Sequence, residues 1–126
     1  MPKRVPTFSG APAPVAPYSV ATEANGFVFI SGQVAIDPSG GPTPEDVSDQ
    51  TRLVLANLGN ILSELGLGYE DVVKTSIFLA DIGDFAAVNQ VYGPVFSKDP
   101  PARTTVQAGA LPGPQFKVEI DAIAAR

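Results

Sequence analysis

Arg103 and Glu119 are the side chains best placed for chemistry in this 126-residue sequence. Arg103 follows Pro100-Pro101-Ala102, a stiff approach to the start of a strand. A planar guanidinium held there suits bidentate capture of a carboxylate. Glu119 sits inside a strand pattern, where Glu is depleted, and could hold and polarise a water. Each has a plainer reading: an ordinary ion pair for Arg103, and a solvated strand face for Glu119, which has Lys117 and Asp121 beside it. Tyr18, Ser31 and Asn89 lie near the ends of expected elements, where they could meet a substrate or bond locally. Gly32 could expose a backbone N–H. Ser39-Gly40-Gly41 lacks the helix pattern that follows a phosphate loop and reads as a turn.

What is missing narrows the chemistry further. The sequence has no Cys and no His. Thiolate nucleophiles, disulfides, zinc–thiolate sites and imidazole metal sites are therefore excluded, as are Ser-His-Asp and Cys-His catalysis. Eight basic residues against 13 acidic ones give a net charge of −5. That balance disfavours a nucleic-acid surface, whose affinity comes from Lys and Arg on phosphates. A hydrophobic content of 44% supports a packed core rather than disorder. No run of 18 apolar residues suggests a membrane span. Met1 to Pro6 is basic, but no apolar stretch follows as in a secretory signal. The expectation is a cytoplasmic protein.

The elements that must position these residues are legible in the spacing. The whole of 1–126 reads as one domain, with residues 1–16 as a proline-rich extended arm (Pro2, Pro6, Pro12, Pro14). Such an arm could contribute an edge strand, lie over a neighbouring subunit, or fray at its start. Tyr18–Ala24 and Phe27–Val34 are expected strands joined by Asn25-Gly26, a strong hairpin signal. The unbroken apolar run Phe27–Ile30 predicts burial on both faces, and Gly32 a bulge or a close approach. Thr43 is the expected cap and Pro44 the first position of a helix, whose apolar stripe runs from Val47 to Leu65 and stops at Gly66. Val72–Leu79 is a third strand. A shorter helix carries Phe85, Val88, Val91, Tyr92 and Phe96, with a break or kink expected at Gly93-Pro94. Arg103–Ala108 and Phe116–Ala124 complete the set, the last with Val118, Ile120 and Ala122 on one face and Lys117, Glu119 and Asp121 on the other. The order is ββαβαββ, an α+β fold with both helices on one face of one sheet. The uncovered face, largely apolar, is expected to meet another subunit.

Several segments together resemble the RidA family, also called the YjgF family. These are Ala16-Pro17-Tyr18-Ser19 and Asn25 to Gln33; Asp49-Gln50-Thr51 with Asn57-Leu58; Asp71-Val72-Val73-Lys74; Phe85-Ala86-Ala87-Val88-Asn89; Pro101-Ala102-Arg103; and Val118-Glu119-Ile120. They occur in order from about Pro17 to Ala124. The resemblance implies a chorismate-mutase-like homotrimer whose three sheets form a central barrel, with ligand clefts between subunits. It implies hydrolysis of reactive 2-imino acids and their enamine tautomers to 2-keto acids and ammonia, with no cofactor and no metal. Position by position, it implies that Arg103 binds the substrate carboxylate and Glu119 holds the water. Tyr18, Ser31, Gly32 and Asn89 would line the cleft. Thr104-Thr105 stand where many members have a small residue and Cys, so Thr105 would occupy a substrate-contacting position. The same resemblance leaves two other readings: a non-catalytic small-carboxylate-binding protein and, disfavoured by the charge and the missing His, a ribonuclease.

Overall fold

The computed structural model describes residues 2–126; Met1, the first residue of the expected arm, lies outside them. The alternating and β-branched segments form five strands: β1 (Ala21–Ala24), β2 (Phe27–Gln33), β3 (Val72–Leu79), β4 (Ala102–Gln107) and β5 (Val118–Ala125). Two helices, α1 (Val47–Glu64) and α2 (Phe85–Val95), connect them. Single 3-10 turns, Tyr69–Asp71 and Ile82–Asp84, precede β3 and α2. The strands make one mixed sheet in the order β1-β2-β5-β3-β4. Only β3 and β4 pair in parallel.

Both helices cover the same sheet face. The α1 residues Val54, Leu55, Leu58, Ile61 and Leu62 are buried with Val28, Ile30, Ile77, Leu79, Val118 and Ile120 from the strands. From α2, Val88 and Tyr92 join this core, and Phe96 follows just beyond the helix end. The turn Asn25-Gly26 takes positive φ at both residues, 54° and 81°, as a two-residue hairpin demands. Gly66, at φ 73°, closes α1: its N–H bonds to the Ser63 carbonyl, and that of Leu67 to Leu62. This is the left-handed helix end expected of a glycine there.

Several expectations need correction. The α1 cap is Asp46, whose side chain accepts from the Asp49 N–H, and the helix begins at Val47; Thr43 and Pro44 precede it. Asp46 wins because an ionised acceptor caps more strongly than a hydroxyl and complements the helix dipole. Pro44 still serves, since its carbonyl accepts from the Gln50 side chain. In α2, Pro94 sits in the last turn rather than ending it, and the Phe96 N–H still reaches the Tyr92 carbonyl. A proline removes only its own N–H bond, which a final turn tolerates. β1 starts at Ala21 instead of Tyr18, because its ladder on β2 stops at the Ala21–Ile30 pair where β2 bulges. β2 is not buried on both faces: Val28 and Ile30 point into the core, while Phe27 and Phe29 are each 44% exposed. Only one face has helices to cover it.

That open face is mixed rather than uniformly apolar. Phe27, Phe29 and Val106 are exposed on it. Ser76, which pairs with both Asp121 and Thr104, runs a polar band across its middle. The arm lies against its own chain. Arg4 pairs with Glu23 beside β1 through two backbone bonds of 2.8 and 2.9 Å. Further on, Glu64 accepts from the N–H groups of Ser9 and Gly10 and from the Ser9 hydroxyl. Glu23 also holds Arg126 in an ion pair, tying both described ends to one buried carboxylate.

Candidate functional site

The expected site residues fall into two groups on opposite faces of the sheet. β4 pairs with β3 so that Arg103 lies opposite Thr75 and Thr105 opposite Ile77. Thr75 and Ile77 are buried under the helices, so Arg103 and Thr105 share the helix-covered face. Glu119 alternates with the buried Val118 and Ile120 and therefore faces the open side.

Around Arg103 the sequence builds a neutral cradle. Its Nη2 donates to Asn89 Oδ1 at 2.7 Å. The guanidinium carbon lies 4.9 Å from the centre of the Tyr92 ring and 5.4 Å from that of Phe85, within cation–π range. Phe85, Asn89 and Tyr92 occur at i, i+4 and i+7 on α2, one continuous face. Tyr92 is fixed in turn by a 2.7 Å hydrogen bond with Thr75, and burial pushes its phenol pKa up. Among the described residues no carboxylate pairs with Arg103, so its charge is held but not neutralised. Beside it, the Thr105 hydroxyl oxygen is buried with no hydrogen-bond partner. Among the described residues of this one chain, the surface ion pair that the sequence also allowed for Arg103 does not form.

The other group lines a cleft of about 400 Å³. Tyr18, Ser31, Gly32 and Glu119 meet there with apolar walls from Val34, Ile36 and Phe116. Two residues of β2, Ser31 and Gly32, intervene between its Ile30–Ala122 and Gln33–Ile120 pairs, where β5 has one, Asp121. This is the bulge that Gly32 suggested. Ser31 is locked by donating from Oγ to the Ser19 carbonyl at 2.7 Å, which also ties down the segment carrying Tyr18. Burial, and then the nearby Asp121 carboxylate, raise the Glu119 pKa above its usual value. A raised pKa brings a carboxylate closer to the range useful for proton transfer near neutrality.

The close approach at Gly32 is made by Glu119 itself. A Cβ at Gly32 would lie 2.8 Å from Glu119 Cδ and 3.0 Å from its Cγ. Gly32→Ala should therefore swing the carboxylate away. A flexible side chain yields cheaply, so stability should change by only about 1 kcal/mol. Any activity that depends on the placement of Glu119 should fall roughly tenfold or more. Thermal melting together with a rate measurement checks this; an unchanged rate would show that the position of Glu119 does not matter.

The sequence reading did not assign the ring shelf under Arg103 to the site, although the 85/89/92 spacing was visible. It also did not assign Ile36 and Phe116, cleft walls that only the tertiary fold brings together. Among the described residues, no helix is long and apolar enough to cross a membrane, and no three acidic side chains converge as a metal site would require.

Comparison with known proteins places the chain in a family. The family described as Endoribonuclease L-PSP matches residues 8–126. The chain is 46% identical over 123 residues to Reactive Intermediate Deaminase A, chloroplastic, of Arabidopsis thaliana, covering 97% of this chain and 65% of that protein. It is 42% identical over 123 residues to the mouse (Mus musculus) 2-iminobutanoate/2-iminopropanoate deaminase, covering 97% and 90%. Among solved structures, a Rid-family protein of unknown function from Yersinia pestis superposes with a TM-score of 0.93 at 38% identity, over 99% and 100% of the two chains. Escherichia coli TdcF with bound serine gives 0.87 at 39%, over 93% and 94%. The matched length, the sheet order and the ordered motifs lead to one conclusion: this chain belongs to the YjgF/RidA family.

Proposed function

We propose that the protein hydrolyses 2-imino acids to 2-keto acids and ammonia, in clefts between the subunits of a homotrimer. The observation that carries this reading is the cradled guanidinium of Arg103, fixed by Asn89 and two rings yet left without a carboxylate. A small carboxylate is the ligand such a group is built to take. Relatives named as deaminases of this class support the reading. The opposite-face placement of Arg103 and Glu119 supports the intersubunit cleft, since one chain cannot bring both to a small ligand. A neighbouring copy can, with its Glu119 cleft set against Arg103.

The chemistry asks little of the protein, because an imine is already electrophilic. Arg103 fixes the substrate carboxylate and supplies proximity and orientation. Glu119 takes a proton from a water as that water attacks the C=N carbon, and the π electrons of the C=N bond move to nitrogen. Glu119 returns that proton to the nitrogen, giving the carbinolamine, and then takes the hydroxyl proton and passes it to the nitrogen as the C=O bond forms and the C–N bond breaks. Water is consumed, and 2-keto acid and ammonia are released. Thr105 lines the Arg103 side, where its hydroxyl can bond the ligand.

A non-catalytic binding role for small carboxylates is the second reading. It is favoured by the neighbour described with bound serine, which is not an imine. Ribonuclease activity, which the family's description suggests, fits less well: in the cleft a phosphate would meet Glu119, with Asp121 close by on the same strand face. The deciding experiment generates 2-iminopropanoate or 2-iminobutanoate in situ and follows its hydrolysis. Acceleration above the spontaneous rate is expected. Binding of pyruvate or 2-ketobutanoate without acceleration would move the function to the binding protein.

A further inference from the structure

The motif residues Gln50 and Asn57 remain unexplained by the chemistry above. Both lie on α1, two turns apart, and both are buried, at 0% and 2% exposure. Polar side chains this deep are retained only when their hydrogen bonds are made. Gln50 Nε2 donates to the carbonyls of Pro44 at 2.8 Å and Gln115 at 2.9 Å, and its Oε1 accepts from the Lys117 N–H at 2.8 Å. Asn57 Nδ2 donates to the Ile36 carbonyl at 2.8 Å. None of these partners belongs to a helix or strand. They are the loops on either side of the Glu119 cleft. Phe116, gripped between Gln115 and Lys117, and Ile36 are two of its walls. Lys117 also leads directly into β5, two residues before Glu119.

We propose that Gln50 and Asn57 are positioning residues of this cleft, clamping from inside the core the two loops that form its apolar walls. The clamp is directional as well as adhesive. Both amide hydrogens of Gln50 and its carbonyl oxygen are engaged, so the 115–117 backbone is fixed in orientation and Phe116 is presented to the cleft. Asn57 holds the Ile36 carbonyl through a single bond. Burial is the main reason why the Glu119 carboxyl holds its proton more tightly than usual, and these walls line the cleft in which it is buried. The other charged and titratable groups on that side are Asp121 on the same strand, Lys117 just before it, Tyr18 in the cleft lining, Lys74 on β3 and, in the proposed assembly, Arg103 of a neighbouring copy; neither substitution below replaces any of them, although Gln50→Leu releases the Lys117 N–H. The consequence for turnover rests on the imine-hydrolase reading. The consequence for the cleft does not.

The test is therefore read on the unliganded protein as well as by rate. Gln50→Leu and Asn57→Ala are compared with Leu62→Ala, a core truncation on the same helix that is not an i±3 or i±4 neighbour of either clamp. Carboxyl NMR follows the titration of Glu119, and pyruvate affinity and imine hydrolysis are measured in parallel. In the clamp variants the Glu119 midpoint should fall toward the ordinary carboxylate range, and pyruvate affinity and kcat should drop roughly tenfold or more. Leu62→Ala should lower the Tm while leaving the Glu119 midpoint in place. If Gln50→Leu fails to fold, Asn57→Ala, which loses a single bond, carries the same reading for the Ile36 wall. A Glu119 midpoint and pyruvate affinity unchanged in the folded clamp variants would overturn the proposal. A shifted midpoint in a protein that never accelerates imine hydrolysis would uphold the clamp and reject only the enzymatic reading.

Discussion

Arg103→Ala should reduce imine hydrolysis to the spontaneous background while leaving the fold intact. Removing a guanidinium that has no carboxylate partner among the described residues orphans no opposite charge, so the stability cost should stay at about 2 to 3 kcal/mol, the worth of the lost charged bond to Asn89 and the ring contacts. Binding of a 2-keto acid should weaken by roughly 10- to 100-fold, the scale of a charged hydrogen-bonded contact. Arg103→Lys should rescue poorly. An ammonium lacks the planar fork, and it stacks less well on Phe85 and Tyr92. Wild-type rates in either variant would show that the cradle serves another purpose. Mixed assemblies sharpen the test. When Arg103→Ala and Glu119→Gln subunits are unfolded together and reassembled as trimers, about a quarter of the intersubunit clefts should combine an intact Arg103 with an intact Glu119. Recovery of activity from two inactive parents is the expected result; none, with mixed trimers verified, would place both residues in separate functions.

Glu119→Gln should lower the hydrolysis rate by roughly 10²-fold or more, the usual scale for a positioned acid–base group. Binding of a 2-keto acid should persist, because in the proposed mechanism its carboxylate is held by Arg103. A preserved rate would exclude proton transfer by Glu119. Stability should move in the opposite direction to activity. The folded-state pKa of Glu119 is raised above its ordinary value near 4.5. Its protonated form is therefore the one the fold favours. Its contribution to stability is fully present below the unfolded value and is lost as pH rises through the folded value. The glutamine variant should thus melt above wild type at neutral pH, and the difference should vanish below about pH 4. Melting curves across this range check the sign, and a variant less stable at pH 7 would show that the carboxylate makes a favourable contact.

Much of this arrangement was readable in the residues. The hairpin at Asn25-Gly26, the helix end at Gly66 and the alternation of β5 each follow from one local rule, and the structure obeys all three. The bulge at Gly32 was also legible, because a glycine inside an apolar strand has few other uses. Local rules failed where two candidates competed within a few residues, as for Thr43 and Asp46 at the start of α1, or where exposure depended on a distant cover, as for Phe27 and Phe29. Among the site residues, Arg103 and Glu119 were visible as oddities of composition. Their opposite-face placement was not, because it depends on which neighbours β4 and β5 choose. Phe116 and Ile36 carry no polar signal at all, and only the loop clamps on α1 turn them into walls.

β5 occupies the centre of the sheet, with β2 on one side and β3 on the other. Both partners precede it by many residues, so the hairpin and the β3–α2–β4 unit can form early but cannot join. Until β5 inserts, β2 and β3 each expose an unpaired edge, and that of β2 bears the Phe27–Ile30 run. A sheet closed by its last strand is dominated by non-local contacts and gathers slowly, on the millisecond-to-second scale. Its exposed edges are then templates for pairing with another chain. The strand that carries Glu119 is thus also the keystone of the sheet: the Glu119 cleft cannot exist in a half-formed chain, and the interval of exposed inner edges ends when that cleft forms.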